Sequence, residues 1–357
     1  MASSDSPAGG SVNRPYQRMT KRKAYARAGV DVDLGNRVKR GIQRLLRTTH
    51  GPQVLGKSGG FGGLFSANFR GLRAPVLVAS VDGVGTKLKI AFAMDRHETV
   101  GADLVNHCVN DIAALGARPL FFLDYIGTEK LEPRVFYELL RGFTRACRAA
   151  KCALIGGETA QLPGIYKRGE YDLAGCIIGV VDRKDIIDGR RIKPGDVILG
   201  LPSNGLHTNG YSLARKILFD QLRLKLSSRI PGVKRILGEE LLRVHKNYQP
   251  LLAKLPRTLI RGLAHITGGG LVDNLPRVLP KNCDTVIETR SWRVPPIFQF
   301  IGEEGNIDRD EMYQVFNMGI GMTVIVGQRD VIKTQRILHA RVIGRIERGT
   351  GKTILRF

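Results

Sequence analysis

The residues best suited to chemistry begin where an apolar run, Val76 to Val81, breaks into Asp82-Gly83-Val84-Gly85-Thr86-Lys87. A strand ending in such a turn sets its first polar residues at the carboxyl edge of a sheet, where α/β proteins place ligands. Asp82 is a hard oxygen donor of the kind Mg²⁺ takes together with phosphate. Gly83 and Gly85 allow close backbone approach to a phosphate, and Thr86 and Lys87 add a hydroxyl and a charge. Downstream, Asp103, Asn106 and Asn110 share one face of a helix predicted from Asp103 to Leu115, with Asp111 beside them. The other faces are apolar, so the helix is expected to be buried and its polar stripe to need partners. A metal–phosphate site or an internal hydrogen-bond network would each satisfy it.

Further candidates follow predicted strands. Gly156-Gly157-Glu158-Thr159 offers amides, a carboxylate and a hydroxyl in a turn. Ser203 to Gly210 presents Ser203, His207, Thr208 and Asn209 ahead of a helix; His207 is a candidate acid or base, although a lone histidine is more often structural. Thr267-Gly268-Gly269-Gly270 between strand and helix is an anion seat. His265, in an apolar strand, reads as core.

Gly51 to Ser58 spells a nucleotide-binding P-loop letter for letter. The context is wrong, because an amphipathic helix precedes it and more glycines follow, whereas a P-loop needs a strand before and a helix after. A glycine flap through Gly59-Gly60-Phe61-Gly62 that closes over a site, with Lys57 available to phosphates, fits better.

These groups must be held by a folded scaffold. The 357 residues suffice for two or three domains, and 43% hydrophobic content supports a core. Alternating strands and helices predict an α/β fold in two domains, residues 33–182 and 183–357, after a flexible basic tail over 1–32. The first predicted helix starts at Asn36, and another runs from about Pro133 to Ala150. No apolar run is long enough for a membrane helix. No apolar signal-peptide core opens the chain, and five scattered cysteines without a CxxC pair point to reduced thiols in the cytoplasm. The net charge of +24 is spread along the chain with few aromatics, so no nucleic-acid module is expected; phosphorylated ligands account for such a charge equally well.

Together these segments resemble the aminoimidazole ribonucleotide synthetase family, from about Ala24 to Phe357. The resemblance is carried by Ala28 to Asp31, Gly59 to Gly62, Asp82 to Lys87, Val109 to Asp111, Pro119 to Tyr125, Gly156 to Tyr166, His207 to Ser212, His265 to Gly270 and Phe316 to Met322. Asp82 to Lys87 alone marks only the wider ATP-binding superfamily. The resemblance implies a homodimer whose N-terminal strands pair into a mixed β-barrel, with a C-terminal α/β domain across a cleft. It implies ATP and Mg²⁺ as cofactors and formylglycinamidine ribonucleotide as substrate. Asp82, Asp111 and Asp103 would hold Mg²⁺. Gly59 to Gly62, Asp82, Gly83, Gly85, Thr86, Lys87, Asn110 and Gly157 to Thr159 would face ATP. Ser203, Thr208, Thr267 to Gly270 and Asn317 would seat the substrate, and His207, Asn209, Asp111 and Lys87 would act in catalysis. Two departures matter: Gln161 stands where the family commonly has glutamate, which removes a catalytic carboxylate there, and Met318 replaces the small or cysteine residue often seen before Gly319, a change expected to affect packing only.

Overall fold

The structure is a computed structural model that describes residues 24–55 and 61–357. Of the flexible tail expected over 1–32, residues 1–23 lie outside the described residues, as do Lys57, Gly59 and Gly60 of the expected flap; residues 24–32 are described and include a short helix. Helix α1 spans Ala24–Arg27 and helix α2 Val32–Arg47, so α2 starts four residues before the predicted Asn36. Asp31 sets that start: its carboxylate accepts the Leu34 amide at 2.9 Å, an N-cap at a turn without apolar periodicity. Strands β1 (Val54–Leu55) and β2 (Leu64–Phe65) pair antiparallel, which puts Val54 and Leu55 of the P-loop look-alike in a strand.

The first sheet contains β3 (Pro75–Gly83), β4 (Arg118–Thr128), β5 (Ala153–Gln161) and β6 (Tyr171–Asp182), in the order β3-β6-β4-β5. Gly156 to Thr159, expected as a turn, continues β5 in parallel pairing with β4. The sheet is open, with β3 and β5 at its edges, and no closed barrel forms within the described chain. Helices α3 (Leu88–Met94), α4 (Glu98–Ala114) and α5 (Pro133–Ala149) follow the scheme of apolar faces turned to the sheet. The α4–α5 crossing is close because a Cβ at Gly101 would strike Leu139 O, and one at Gly142 would strike Glu98 O.

The second sheet contains β7 (Val197–Pro202), β8 (Ile260–His265), β9 (Cys283–Glu288), β10 (Ile320–Val326), β11 (Arg341–Arg348) and β12 (Thr353–Arg356). Its order is β12-β9-β11-β7-β10-β8, antiparallel except for β12 with β9. The predicted helix beyond Gly270 stops at Asn274, and Pro276 turns the chain into a 3₁₀ segment. The fold is therefore mixed α/β with two sheet-containing parts. Helix α4 lies between them, buried along most of its length. One side covers the first sheet, and its polar stripe meets residues 245–248 from the second part. Among the described residues no helix is long and apolar enough to cross a membrane, and the five cysteines are unpaired.

Candidate active site

The carboxyl ends of β7 and β8 and the start of β10 lie at one edge of the second sheet, and the loops there meet the end of β3 and the side of α4. Ser80 and Asp82 alternate on β3 to face α4, where Ser80 Oγ donates to Asp111 Oδ2 at 3.1 Å. His107, one turn before Asp111 on α4, sets Nε2 at 2.9 Å from Asp82 Oδ2 and 3.9 Å from Asp111 Oδ2. Its Nδ1 lies 2.8 Å from Thr208 Oγ1, which lies 3.2 Å from His245 Nδ1. His245 Nε2 is 3.0 Å from His265 Nε2, and His265 Nδ1 is 2.8 Å from Asp111 Oδ1. A continuous polar chain thus runs from Asp82 to Asp111 through both parts of the fold. Its two carboxylates remain partly open to solvent while its imidazoles are buried.

Electrostatics follow burial and pairing. Burial raises Asp82 and Asp111, but the bonds and charge of His107 and His265 outweigh it and hold both carboxyls below their usual value. Burial also works against a charged His107, yet the carboxylates around it raise its pKa overall. His207 and His245 are driven well below the ordinary imidazole value by burial and by neighbouring positive charge. His265 is lowered by burial, with Asp111 offsetting part of the shift.

Several expected ligands have other employment. Lys87 does not face the cleft: it is wholly buried, with Nζ 2.7 Å from Asp103 Oδ2, 3.0 Å from His207 O and 2.7 Å from Arg243 O. Asp103, expected at the metal, is sealed in that pair and also accepts the His245 amide at 2.6 Å. Asn110 donates to Lys246 O and accepts from the Tyr248 amide, and Asn106 donates to His245 O. The stripe on α4 is thus largely a grip on residues 245–248, and only Asp111 turns to the cleft. His207 adopts φ 63°, is 1% exposed and stacks on His245 with ring centroids 4.1 Å apart. It lies beneath the cleft floor, accepting the Asn204 amide at 3.3 Å.

Other expected residues do gather. Thr86 Oγ1 reaches Ser212 Oγ at 3.0 Å beside Gly85, which takes φ 70°. Ser203 donates to Asn317 Oδ1 at 2.9 Å, and Asn317 donates to Gly205 O at 2.9 Å, so Asn317 shapes the 203–210 loop. Asn209 packs against Gly268, which brings that loop beside Thr267 to Gly270. Gly269 and Gly270 both take positive φ, and Asn274 ties the turn by donating to Gly270 O at 2.8 Å. Phe61 and Gly62 are exposed. Gly157 to Thr159 lies on the far edge strand, three strand spacings or ~14 Å from Asp82. Gln161 bridges Leu131 N and Asp31 O, an internal role.

Sequence reasoning missed His107, His245 and the part His265 plays. His107 sits among apolar neighbours on α4, one turn from Asp111, a spacing that was available as a signal. His245 lies in a non-periodic loop and gave none.

The carboxylates of Asp82 and Asp111 suit Mg²⁺, whereas His107 Nε2 and His265 Nδ1 beside them are nitrogen donors that Mg²⁺ takes poorly.

Comparison with known proteins defines the class first. Residues 72–181 match the family described as AIR synthase related protein, N-terminal domain, and residues 193–355 match its C-terminal domain. The fold is similar to a thiamine-monophosphate kinase from Stenotrophomonas maltophilia (TM-score 0.65, 19% identity, 88% of this chain and 95% of that one). It is also similar to hydrogenase maturation protein HypE in complex with ATP (TM-score 0.63, 18% identity, 90% of each chain). At the level of sequence, the phosphoribosylformylglycinamidine cyclo-ligase of Alkaliphilus oremlandii is 48% identical over 337 residues, covering 93% of this chain and 99% of that protein. That of Syntrophotalea carbinolica is 52% identical over 311 residues, covering 87% and 89%. The chain belongs to the phosphoribosylformylglycinamidine cyclo-ligase family, and it is an enzyme of the ligase class.

Proposed function

We propose that this enzyme closes the imidazole ring of formylglycinamidine ribonucleotide at the expense of ATP. The formamide oxygen takes the γ-phosphoryl group, which turns a poor leaving group into phosphate. The amidine nitrogen attacks the same carbon, its proton departs, and phosphate leaves to give aminoimidazole ribonucleotide and ADP. The observation that carries this reading is the joining of Asp82 and Asp111 to the 203–210 and 267–270 loops at one cleft, within a chain 48–52% identical to named cyclo-ligases.

Asp82 and Asp111 would hold Mg²⁺, which neutralises charge on the transferring phosphoryl group. Gly83, Gly85 and Thr86 border the same end of β3, where the triphosphate would pass. Thr267 to Gly270 would seat the 5′-phosphate on backbone amides. Asn209, half-buried between the two loops, would orient the amidine. His207 acts from below by shaping the loop that carries Thr208 and Asn209, and Lys87 and Asp103 hold that loop from α4's side. Phe61 and Gly62 would lie over the nucleotide.

The chain is proposed to act as a cytoplasmic homodimer. Leu77 and Val81 are 62% and 69% exposed on the face of β3 turned away from α4, and among the described residues β3 is an unpaired edge. Such an edge invites a partner strand. The test of the site is product formation by Asp82→Asn with Mg-ATP and substrate: loss of turnover in a folded variant is expected, and near-normal turnover would remove Asp82 from the reaction.

A further inference from the structure

A cavity of about 370 Å³ opens away from the candidate active site and shares no residue with it. It lies where the corner between α3 and α4 meets the first turns of α5, the end of β4 and the segment leading into β6. Its size falls within the range of small-molecule sites, about 300–1,000 Å³. One side is apolar. The rings of Phe92 and Tyr171 meet edge-on with centroids 4.8 Å apart, and Ile126 and Phe136 line the same hollow. Such a surface takes a flat aromatic body. Neighbouring polar groups hold this wall and are spent on one another. Tyr171 Oη lies 2.8 Å from His97 Nδ1, His97 Nε2 lies 3.2 Å from Asp95 Oδ1, and Arg134 pairs with both Asp95 and Glu138. The rest of the rim is unspent. Glu129, Lys130, Glu132 and Arg168 also line the cavity, and their side chains make no ion pair or hydrogen bond among the described residues.

We propose that this cavity binds a nucleoside monophosphate, at a site separate from the one that turns over ATP. The aromatic side takes the base. Lys130 and Arg168 supply two unpaired cations for the phosphate, and a guanidinium presents paired N–H donors that match two phosphate oxygens. Glu129 and Glu132 accept hydrogen bonds from ribose hydroxyls, a role acidic residues take in nucleotide sites. Simpler ligands use only part of this lining. Free phosphate would leave the apolar side empty and meet the two carboxylates as like charges. A bare aromatic molecule would leave both cations unused. A base, a ribose and a phosphate together engage all three kinds of surface. The site stands apart from the proposed ring closure, and its readouts need no turnover.

The test is equilibrium dialysis of radiolabelled AMP, GMP and UMP against the full chain, with Mg²⁺ and saturating AMPPNP present to fill the candidate active site. One equivalent of at least one monophosphate per chain is expected. Arg168→Glu and Lys130→Glu, both at exposed positions, should each weaken that binding by about tenfold or more, because each replaces a phosphate donor with a like charge. Arg336→Glu, exposed in the second part of the fold, makes the same change in net charge and should leave the affinity unchanged. The nucleoside without its phosphate should bind more weakly and respond to neither rim variant. Absence of a bound equivalent at millimolar nucleotide, its displacement by AMPPNP, or equal affinity in the unaltered chain and both rim variants would overturn the proposal.

Discussion

Lys87 Nζ lies 2.7 Å from Asp103 Oδ2 with both side chains fully buried, and the same ammonium donates to the carbonyls of His207 and Arg243. The lysine follows the turn after β3, Asp103 sits on α4, and the carbonyls belong to the second part of the fold. Burial pushes Lys87 down and Asp103 up, and each partner's charge offsets part of the other's cost. Lys87→Met would leave a buried carboxylate unpaired. A loss of roughly 3–5 kcal/mol in urea unfolding is expected, with Lys87→Met/Asp103→Leu recovering much of it. Equal stability of the single and double variants would show that the pair is not coupled.

The buried histidines set a pH dependence. His207 and His245 are held neutral when folded, while the unfolded chain binds protons on them near pH 6.5. Below that value the unfolded state carries more protons, so stability falls as pH drops. The slope should approach about 1.4 kcal/mol per pH unit for each histidine. His107, whose pKa is raised, works the other way: its contribution is present below about pH 6.5 and fades as pH rises through its folded value. Denaturation midpoints from pH 7 to 5 check the balance, and a flat profile would contradict it.

Asp124 sits in a row across the first sheet, opposite Gly175 on one side and Gly157 on the other. A Cβ at Gly157 would strike its carboxylate. Although part of its surface reaches solvent, burial in the sheet and nearby Glu158 push its carboxyl up to about 7. A raised carboxyl adds stability that is complete below its unfolded pKa and lost as pH rises through 7. Asp124→Asn should therefore gain about 1–2 kcal/mol at pH 8 and little at pH 4, allowing for partial exposure. Equal effects at both values would remove the titration.

Gly321 explains part of the Phe316–Met322 stretch. A Cβ there would strike the Tyr248 hydroxyl and reach within 2.6 Å of His207 Cε1. Gly321→Ala should displace both rings, costing about 1–3 kcal/mol as overpacking does, with turnover falling alongside stability. Unchanged stability would mean that the floor of the cleft yields freely.

Much of this arrangement was legible because local pattern and tertiary demand agreed. The apolar run into Asp82-Gly83 marked a strand end and the 3.6-residue periodicity marked α5, whereas α4 begins at Glu98, five residues before the predicted Asp103. The polar stripe of Asp103, Asn106 and Asn110 was recognisable as buried and in need of partners. Those partners, residues 245–248, stand about 140 positions away in a segment without periodicity, so no local signal linked them. Lys87 read as a phosphate ligand because lysine beside glycines is commonly exposed; only the packing of two sheets against α4 buries it. Gly156 to Thr159 read as a turn from its glycines, and parallel pairing with β4 overrode that preference.

The enzyme is expected to close the ring through a phosphorylated formamide oxygen. Substrate labelled with ¹⁸O in the formyl group, incubated with the chain and Mg-ATP, tests it most directly. Aminoimidazole ribonucleotide forming in step with ADP, and ¹⁸O appearing in the released phosphate, is the predicted result. ATP turnover by folded protein without the imidazole product, or product formed with unlabelled phosphate and the label in water, would contradict it.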